Sequence, residues 1–268
     1  MKICVCGKGG SGKSTVVSLL AAGFNRLGKK VLVLDSDESN STLYRMMGFD
    51  HAPEALMDFA GGRQNVKKKM RSGFSAGINE PAMSVWEKGK IEIASIPPEF
   101  LSSRDGLTLM VTGKIHHALE GCACPMGSVT REFVRNIVLN DNEVMLVDTE
   151  AGIEHFGRGI ETGADCVVSI VEPSLESISL AKKIKEMSKG SGTAFSGVIL
   201  NKLSSSEQKE MIIKKLNESE ICVLGCIEYL SDLQDASLAG RSLEFIDCAT
   251  DIADEIALKL IQLRTTVI

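Results

Sequence analysis

Residues 7–15 read GKGGSGKST. Before them, residues 2–6 alternate and are rich in β-formers. After them, VVSLLAAGFNRLG repeats Val17, Leu20, Ala21, Phe24 and Leu27 at helical spacing and stops at Gly28. Gly7 to Ser14 satisfies G-x-x-x-x-G-K-[ST], in the strand–loop–helix context that pattern requires. The glycines let backbone N–H groups close around phosphate oxygens at a helix N-terminus. Lys13 is placed to reach the β- and γ-phosphates, and the Ser14 hydroxyl to ligate Mg²⁺. Nucleotide contacts are therefore expected from Gly7, Lys8, Gly9, Gly10, Ser11, Gly12, Lys13, Ser14 and Thr15. Lys8 is unusual, because cradling a single nucleotide needs one lysine and this is a second. A solvent-facing loop lysine is the plain alternative.

Working outward, KVLVLD (30–35), EVMLVD (143–148), DCVVSIV (165–171) and FSGVILN (195–201) are nearly all apolar, as strands covered on both faces are. Helical patterns lie between or after them at 128–139, 174–188 and 206–217. Strand and helix alternate, which predicts an α/β fold with a doubly wound, mostly parallel sheet. Residues 50–120 are less regular, with short strands expected at 91–95 and 107–112. They are taken as an insertion decorating one edge of a single domain spanning 1–268.

The chain has 268 residues, a net charge of −5 and eight cysteines. The longest apolar runs are strand-length, which excludes a membrane-spanning helix. The N-terminus enters a strand at once without a leader-type segment, so a cytoplasmic protein is expected. Only KKKMR (67–71) is locally basic, and a solvated helix face explains it better than a nucleic-acid site. Neither a nucleic-acid nor a membrane partner is expected.

Asp35 and Asp37 lie just past one buried strand and Asp148 ends another, where open sheets of this class hold ligands. Any one of them alone reads equally as a helix N-cap. Three at strand ends behind a phosphate loop favour a nucleotide site. Asn201 and Lys202 end a further strand, and from sequence alone could be turn residues.

Cysteines in a chain of this kind are core, ligand or redox-active rather than a disulfide framework. Cys4 and Cys6 share a strand face, but a covered strand seals them, and cysteine packs as a small hydrophobe. Cys166, Cys222, Cys226 and Cys248 fall in apolar runs and read as core. Cys122 and Cys124 differ, because EGCACPMG (120–127) is a turn-rich loop outside any amphipathic pattern. Two thiols there point to a metal, Ni²⁺ or Zn²⁺. A closed site usually needs four ligands, and this pair supplies two. The others come from elsewhere in the chain, from His116 and His117, or from a two-fold-related subunit.

The phosphate loop with its early lysine resembles the deviant Walker A loop shared by septum-site ATPases, plasmid-partition ATPases, the arsenite-pump ATPase and nitrogenase iron protein. GKIHHALEGCACPMG (113–127), the run VDTEAGIEHFGRG (147–159), VILNK (198–202) and DASLAGRSL (235–243) narrow the likeness, across essentially the whole chain, to the nickel-insertion accessory ATPases of carbon monoxide dehydrogenase, the CooC type.

That resemblance implies an ATP-dependent homodimer with carbon monoxide dehydrogenase as client. Lys8 would reach across the interface to the partner's nucleotide. Asp37 would orient the attacking water, Asp35 would stand behind Mg²⁺, and Asp148 would be the Walker B aspartate with Gly152 in the second switch. Asn201 would read the adenine edge. Two-fold symmetry would then join two C-x-C pairs into one four-thiolate site. His155 and Arg158, in the second switch, sit where a change would be carried towards the metal. The first switch, DSDES (35–39), lacks the proline frequent in relatives. Two other readings remain open. An iron–sulfur carrier or electron donor of the nitrogenase iron protein type takes its bridging cysteines from separate segments. A positioning ATPase needs a membrane helix or DNA patch, whereas the tail 251–268 reads as a packing helix.

Overall fold

The first strand, β1 (Lys2–Gly7), turns Ile3 and Val5 to one face and Cys4 and Cys6 to the other, and all four are fully buried. The strand β2 (Lys30–Asp35) repeats this, with Val31 and Val33 opposite Leu32 and Leu34. A period of two with both faces apolar requires a covering layer on each side. The computed structural model describes residues 1–39, 42–75, 89–114, 124–244 and 246–266 and shows those two layers.

In chain order, β1 leads to α1 (Lys13–Arg26), β2, the short helices α2 (Leu43–Met46) and α3 (Leu56–Phe59), and α4 (Gly62–Ser75). Then come β3 (Ile91–Glu92), β4 (Ser102–Arg104), β5 (Leu107–Val111), α5 (Cys124–Asn136), β6 (Ile137–Val138), β7 (Glu143–Asp148) and α6 (Glu154–Arg158). The rest is β8 (Cys166–Val171), α7 (Leu175–Ser191), β9 (Ala194–Leu203), α8 (Ser206–Asn217), β10 (Val223–Glu228), α9 (Ser231–Leu238) and α10 (Asp247–Thr266). The main sheet runs β10-β9-β8-β1-β7-β2-β5-β4, parallel throughout except for β4. This is the doubly wound architecture expected. The strand order reverses at β1, beside which the loop of residues 7–15 emerges.

One helical layer holds α1 and α10 in close approach. A Cβ at Gly23 would come within 2.9 Å of the Ala253 carbonyl oxygen, so only glycine lets the two backbones meet. α10 buries Ala253, Ile256, Ala257 and Leu260 in this layer, as a packing helix does. Among the described residues no helix is long and apolar enough to cross a membrane.

Several expectations need correction. In 91–95 only Ile91 and Glu92 are extended, and Ile93–Ser95 form a 3₁₀ turn. The strand expected at 107–112 is present as Leu107–Val111, paired with β2 in the main sheet. The helix expected over 128–139 is Cys124–Asn136: Pro125, whose fixed φ suits a first turn, starts it early. Ile137 leaves the helix to pair with Ile91. Cys222 is exposed and Cys226 half-buried, so neither is core, because β10 is the sheet's edge. The Cys248 side chain lies outside the described residues.

α5 packs on the sheet through Val129, Phe133 and Val134, each fully buried. Phe133→Ala should lower the free energy of unfolding in a urea titration by about 3–5 kcal/mol, the usual cost of deleting a buried ring. A loss below about 1 kcal/mol would mean that α5 is not seated as described.

Candidate nucleotide site and the helix that starts at Cys124

At the carboxyl ends of β1, β2 and β7 the backbone turns into a concave loop. Gly7, Gly10 and Gly12 have φ of 153°, 79° and 91°, and Gly12 leads directly into α1. Gly7 has a second reason to be glycine, because a Cβ there would lie 2.6 Å from the Ile170 carbonyl oxygen. Its own carbonyl accepts from the Gly152 N–H at 3.0 Å, so the start of the phosphate loop is pinned to the segment after β7.

Asn201 and Lys202 hold the loop from the far side. The Asn201 side-chain amide donates to the Ser11 carbonyl at 2.8 Å, and Lys202 Nζ donates to the Gly10 carbonyl at 2.6 Å. A Cβ at Gly12 would collide with Asn201 Nδ2. Both residues therefore buttress the loop, a task the sequence did not assign to them. They also line, with Gly12, Thr15, Tyr229 and Leu233, a cavity of about 400 Å³ beside the loop.

Asp35 and Asp148 are register partners on paired strands and are 2% and 0% exposed. Ser14 Oγ donates to Asp148 Oδ2 at 2.6 Å, while Asp148 Oδ1 is buried without a hydrogen-bond partner. Burial first, then the negative charge of Asp35, pushes the Asp148 carboxyl up to about 7, against the pull of Ser14 and Lys13. Burial likewise raises Asp35 to about 6, opposed mainly by Lys114. Lys114 Nζ donates to Asp35 Oδ2 at 2.7 Å and to the Asp37 carbonyl at 2.6 Å. Asp37 is half-buried, and its Oδ1 accepts from Ser39 N and Oγ at 2.9 and 2.6 Å. Ser14, Asp35, Asp37 and Asp148 are thus brought together around the mouth of the loop.

Lys114 is picked out by no motif. Its signal is position: it lies just beyond the carboxyl end of β5, at the ligand edge of the sheet. Glu38 and Glu150 are equally silent, yet both pair with Arg158 Nη1, at 2.9 and 2.8 Å. Burial and the neighbouring Glu38 charge raise Glu150 to about 7.

Cys124 is the first residue of α5 and is exposed, so the second cysteine of the C-x-C stands on a helix end rather than in a loop. Cys122, His116 and His117 lie outside the described residues. Among the described residues no group of three or more His, Cys, Asp or Glu forms a metal-holding cluster. Cys4, Cys6 and Cys166 are buried as expected, and burial raises each thiol, Cys166 to about 11.

The sequence profile of CbiA, the CobQ/CobB/MinD/ParA nucleotide binding domain, matches residues 3–243. The chain belongs to this family. An uncharacterised ATP-binding protein of Methanocaldococcus jannaschii is 42% identical to this family member over 91% of its chain and 94% of the relative. The carbon monoxide dehydrogenase accessory protein CooC of Rhodospirillum rubrum is 31% identical, covering 90% and 89%. Among solved structures, the septum site-determining protein MinD of Pyrococcus horikoshii, complexed with Mg-ADP, superposes with a TM-score of 0.69 at 16% identity, over 98% of this chain and 96% of that one. At that identity the likeness is one of fold.

In this CobQ/CobB/MinD/ParA member the early lysine is engaged within its own chain. Lys8 Nζ lies 3.1 Å from Glu172 and 3.0 Å from Glu176, and these pairs raise its pKa. His155 is fully buried in α6, with neither ring nitrogen hydrogen-bonded. Burial, followed by the positive charges of Lys13 and Arg158, depresses it to about 3.

A folded-state pKa below the ordinary value of 6.5 means that the unfolded chain binds the proton more readily. The neutral histidine's contribution is therefore fully present above pH 6.5 and is lost as pH falls towards 3. Asp35, Asp148 and Glu150 act in the opposite sense over part of that window, so the variant isolates the histidine. His155→Leu should gain stability over the parent by up to about 1.4 kcal/mol per pH unit between pH 6 and 4. A pH-independent difference between the two denaturation curves would contradict the assignment.

Proposed function

We propose that this protein is a homodimeric, Mg²⁺-dependent ATPase that binds nickel through Cys122 and Cys124 and assists its insertion into carbon monoxide dehydrogenase. The observation that carries this reading is the position of Cys124. It stands exposed at the head of α5, whose first turn packs on α6, the helix that follows Asp148 and Gly152. Cys124 is disulfide-bonded here, and its reduction would place a soft thiolate ligand beside the segment that follows Asp148. The near full-length likeness to a carbon monoxide dehydrogenase accessory protein supports the same client.

The residues fit the nucleotide chemistry. The buried, unpartnered Asp148 Oδ1 beside the Ser14 hydroxyl suits a hard cation, with Asp35 behind it. Mg²⁺ held there would supply charge neutralisation for the departing phosphate. Lys13, 7% exposed, faces the same loop and would bind the β- and γ-phosphates. Asp37 would orient the attacking water. The cavity beside Asn201 would take the base. Lys8 would exchange its partly exposed glutamates for the partner subunit's phosphates, an inexpensive exchange because such ion pairs are weak in water.

Two thiolates from each of two chains would complete a four-sulfur site, suited to nickel(II) in a square plane or zinc in a tetrahedron. A cytoplasmic setting would keep such a pair reduced and able to take metal.

Metal titration combined with sizing tests the reading. One nickel or zinc ion should bind tightly per two chains and should promote dimerisation, because a ligand that binds only the assembled form stabilises it. Cys122→Ser and Cys124→Ser should each abolish tight binding with the fold intact. One tightly held ion per monomer would rule out the shared site.

Asp37→Asn should retain nucleotide and stop turnover. Lys8→Ala should retain nucleotide but weaken the dimer formed with a non-hydrolysable ATP analogue. Light scattering across concentrations checks the second, and an unchanged dimer fraction would reduce Lys8 to a surface residue.

A further inference from the structure

Arg158, in the second switch, stands where three parts of the chain meet. Its Nη1 pairs with Glu38, the residue after Asp37, and with Glu150, two residues after Asp148. Its aliphatic stem lies flat on Gly127. A Cβ added there would collide with Arg158 Cδ and approach Cβ and Cγ to 3.3 Å. Its carbonyl accepts from Arg131 Nη1 at 3.3 Å. Gly127 and Arg131 are both on α5, and Gly127 lies just under one turn from Cys124.

The setting makes these contacts consequential. The side chains of Arg158, Glu38 and Glu150 are 21%, 9% and 13% exposed. Charges so poorly hydrated are costly to leave unpaired, so the guanidinium follows its carboxylates when they move. The stem cannot follow without disturbing α5, because Gly127 leaves no slack around it. Packed elements of this kind shift as units rather than deform.

We infer that Arg158 is a positioning residue that transmits rearrangement of residues 37–38 and 148–150 to the first turn of α5, so that nucleotide state sets the geometry offered by Cys124. The metal half of this statement rests on the proposed function; the movement of α5 does not. Coupling of this sort is a free energy shared by the two sites, and it is reciprocal.

Two readouts on the full-length protein test it, each with and without Mg²⁺ and a non-hydrolysable ATP analogue. The first is hydrogen exchange of the amides of residues 124–136. The second is the Kd for Zn²⁺ as probe. In the parent, nucleotide should change α5 protection and shift the Zn²⁺ Kd by a factor of about 5–150, the usual range for coupled sites.

Arg158→Ala should bind nucleotide and Zn²⁺ yet lose the exchange response of α5, with the Kd ratio reduced towards the part owed to dimerisation alone. Gly127→Ala should do the same from the other side. It expels the stem while placing a better helix former in α5, so the fold is retained. Arg158→Lys, which keeps one cation for Glu38 and Glu150, should restore part of the response.

An α5 response of parental size in Arg158→Ala or Gly127→Ala overturns the inference, as does a parent whose α5 ignores nucleotide. A parent that binds no Zn²⁺ but whose α5 responds through Arg158 upholds the inference and sinks the metal reading alone.

Discussion

Two buried carboxylates, Asp35 and Asp148, face each other across paired parallel strands, and much of the site is arranged around that repulsion. Neither has enough hydration to hold its charge easily, and each makes ionisation of the other harder. The fold supplies partial compensation from several directions. Lys114 comes from the end of β5, and Lys13 and Ser14 from the first turn of α1. What remains is one buried oxygen, Asp148 Oδ1, with no hydrogen bond. A site under-compensated in this way favours the arrival of a divalent cation with its nucleotide.

The sheet order explains why these groups meet. β2, β7 and β1 are adjacent, so their carboxyl ends deliver Asp35, Asp148 and Gly7 to one edge. Hydrogen bonds then tie the edges together. Ser36 Oγ donates to the Asp148 carbonyl at 2.8 Å, and Thr149 Oγ1 to the Val5 carbonyl at 2.9 Å. Segments after the strands are thereby fastened to neighbouring strands rather than to their own helices. A shift after β7 is felt at β1 and β2.

What the sequence made legible follows the range of each signal. The G-x-x-x-x-G-K-S loop and the apolar strands are local patterns, and the parallel sheet built from them is the one found. Asp35, Asp37 and Asp148 were legible because strand ends are positions with chemical meaning. Lys114, Glu38 and Glu150 were not, since each acquires its role only from a partner that the fold brings near. Arg158 could be placed in the second switch, but its dependence on Gly127 exists only in three dimensions. Pro125, by contrast, was a usable sign: proline favours the first turn, which puts Cys124 on a helix end. The exposure of Cys222 and Cys226 turned on which strand would be the sheet's edge, and apolar composition does not carry that information.

Lys8 brings the two halves of the structure together. An ammonium group paired with Glu172 and Glu176 is neutralised locally and has no need of a second subunit. Both glutamates belong to the end of β8 and the first turn of α7, where a helix dipole already favours acidic residues. Glu172 and Glu176 thus remain well placed if Lys8 leaves, and the cost of releasing it falls mainly on partly hydrated pairs. A phosphate with more than one negative charge, in a cleft from which water is excluded, is a stronger competitor for that lysine than two half-solvated carboxylates. In the dimer proposed above, Lys8 would thus be held by its own chain without nucleotide and released once a nucleotide-bearing partner approached. That difference between the two states is what an ATP-controlled dimer requires.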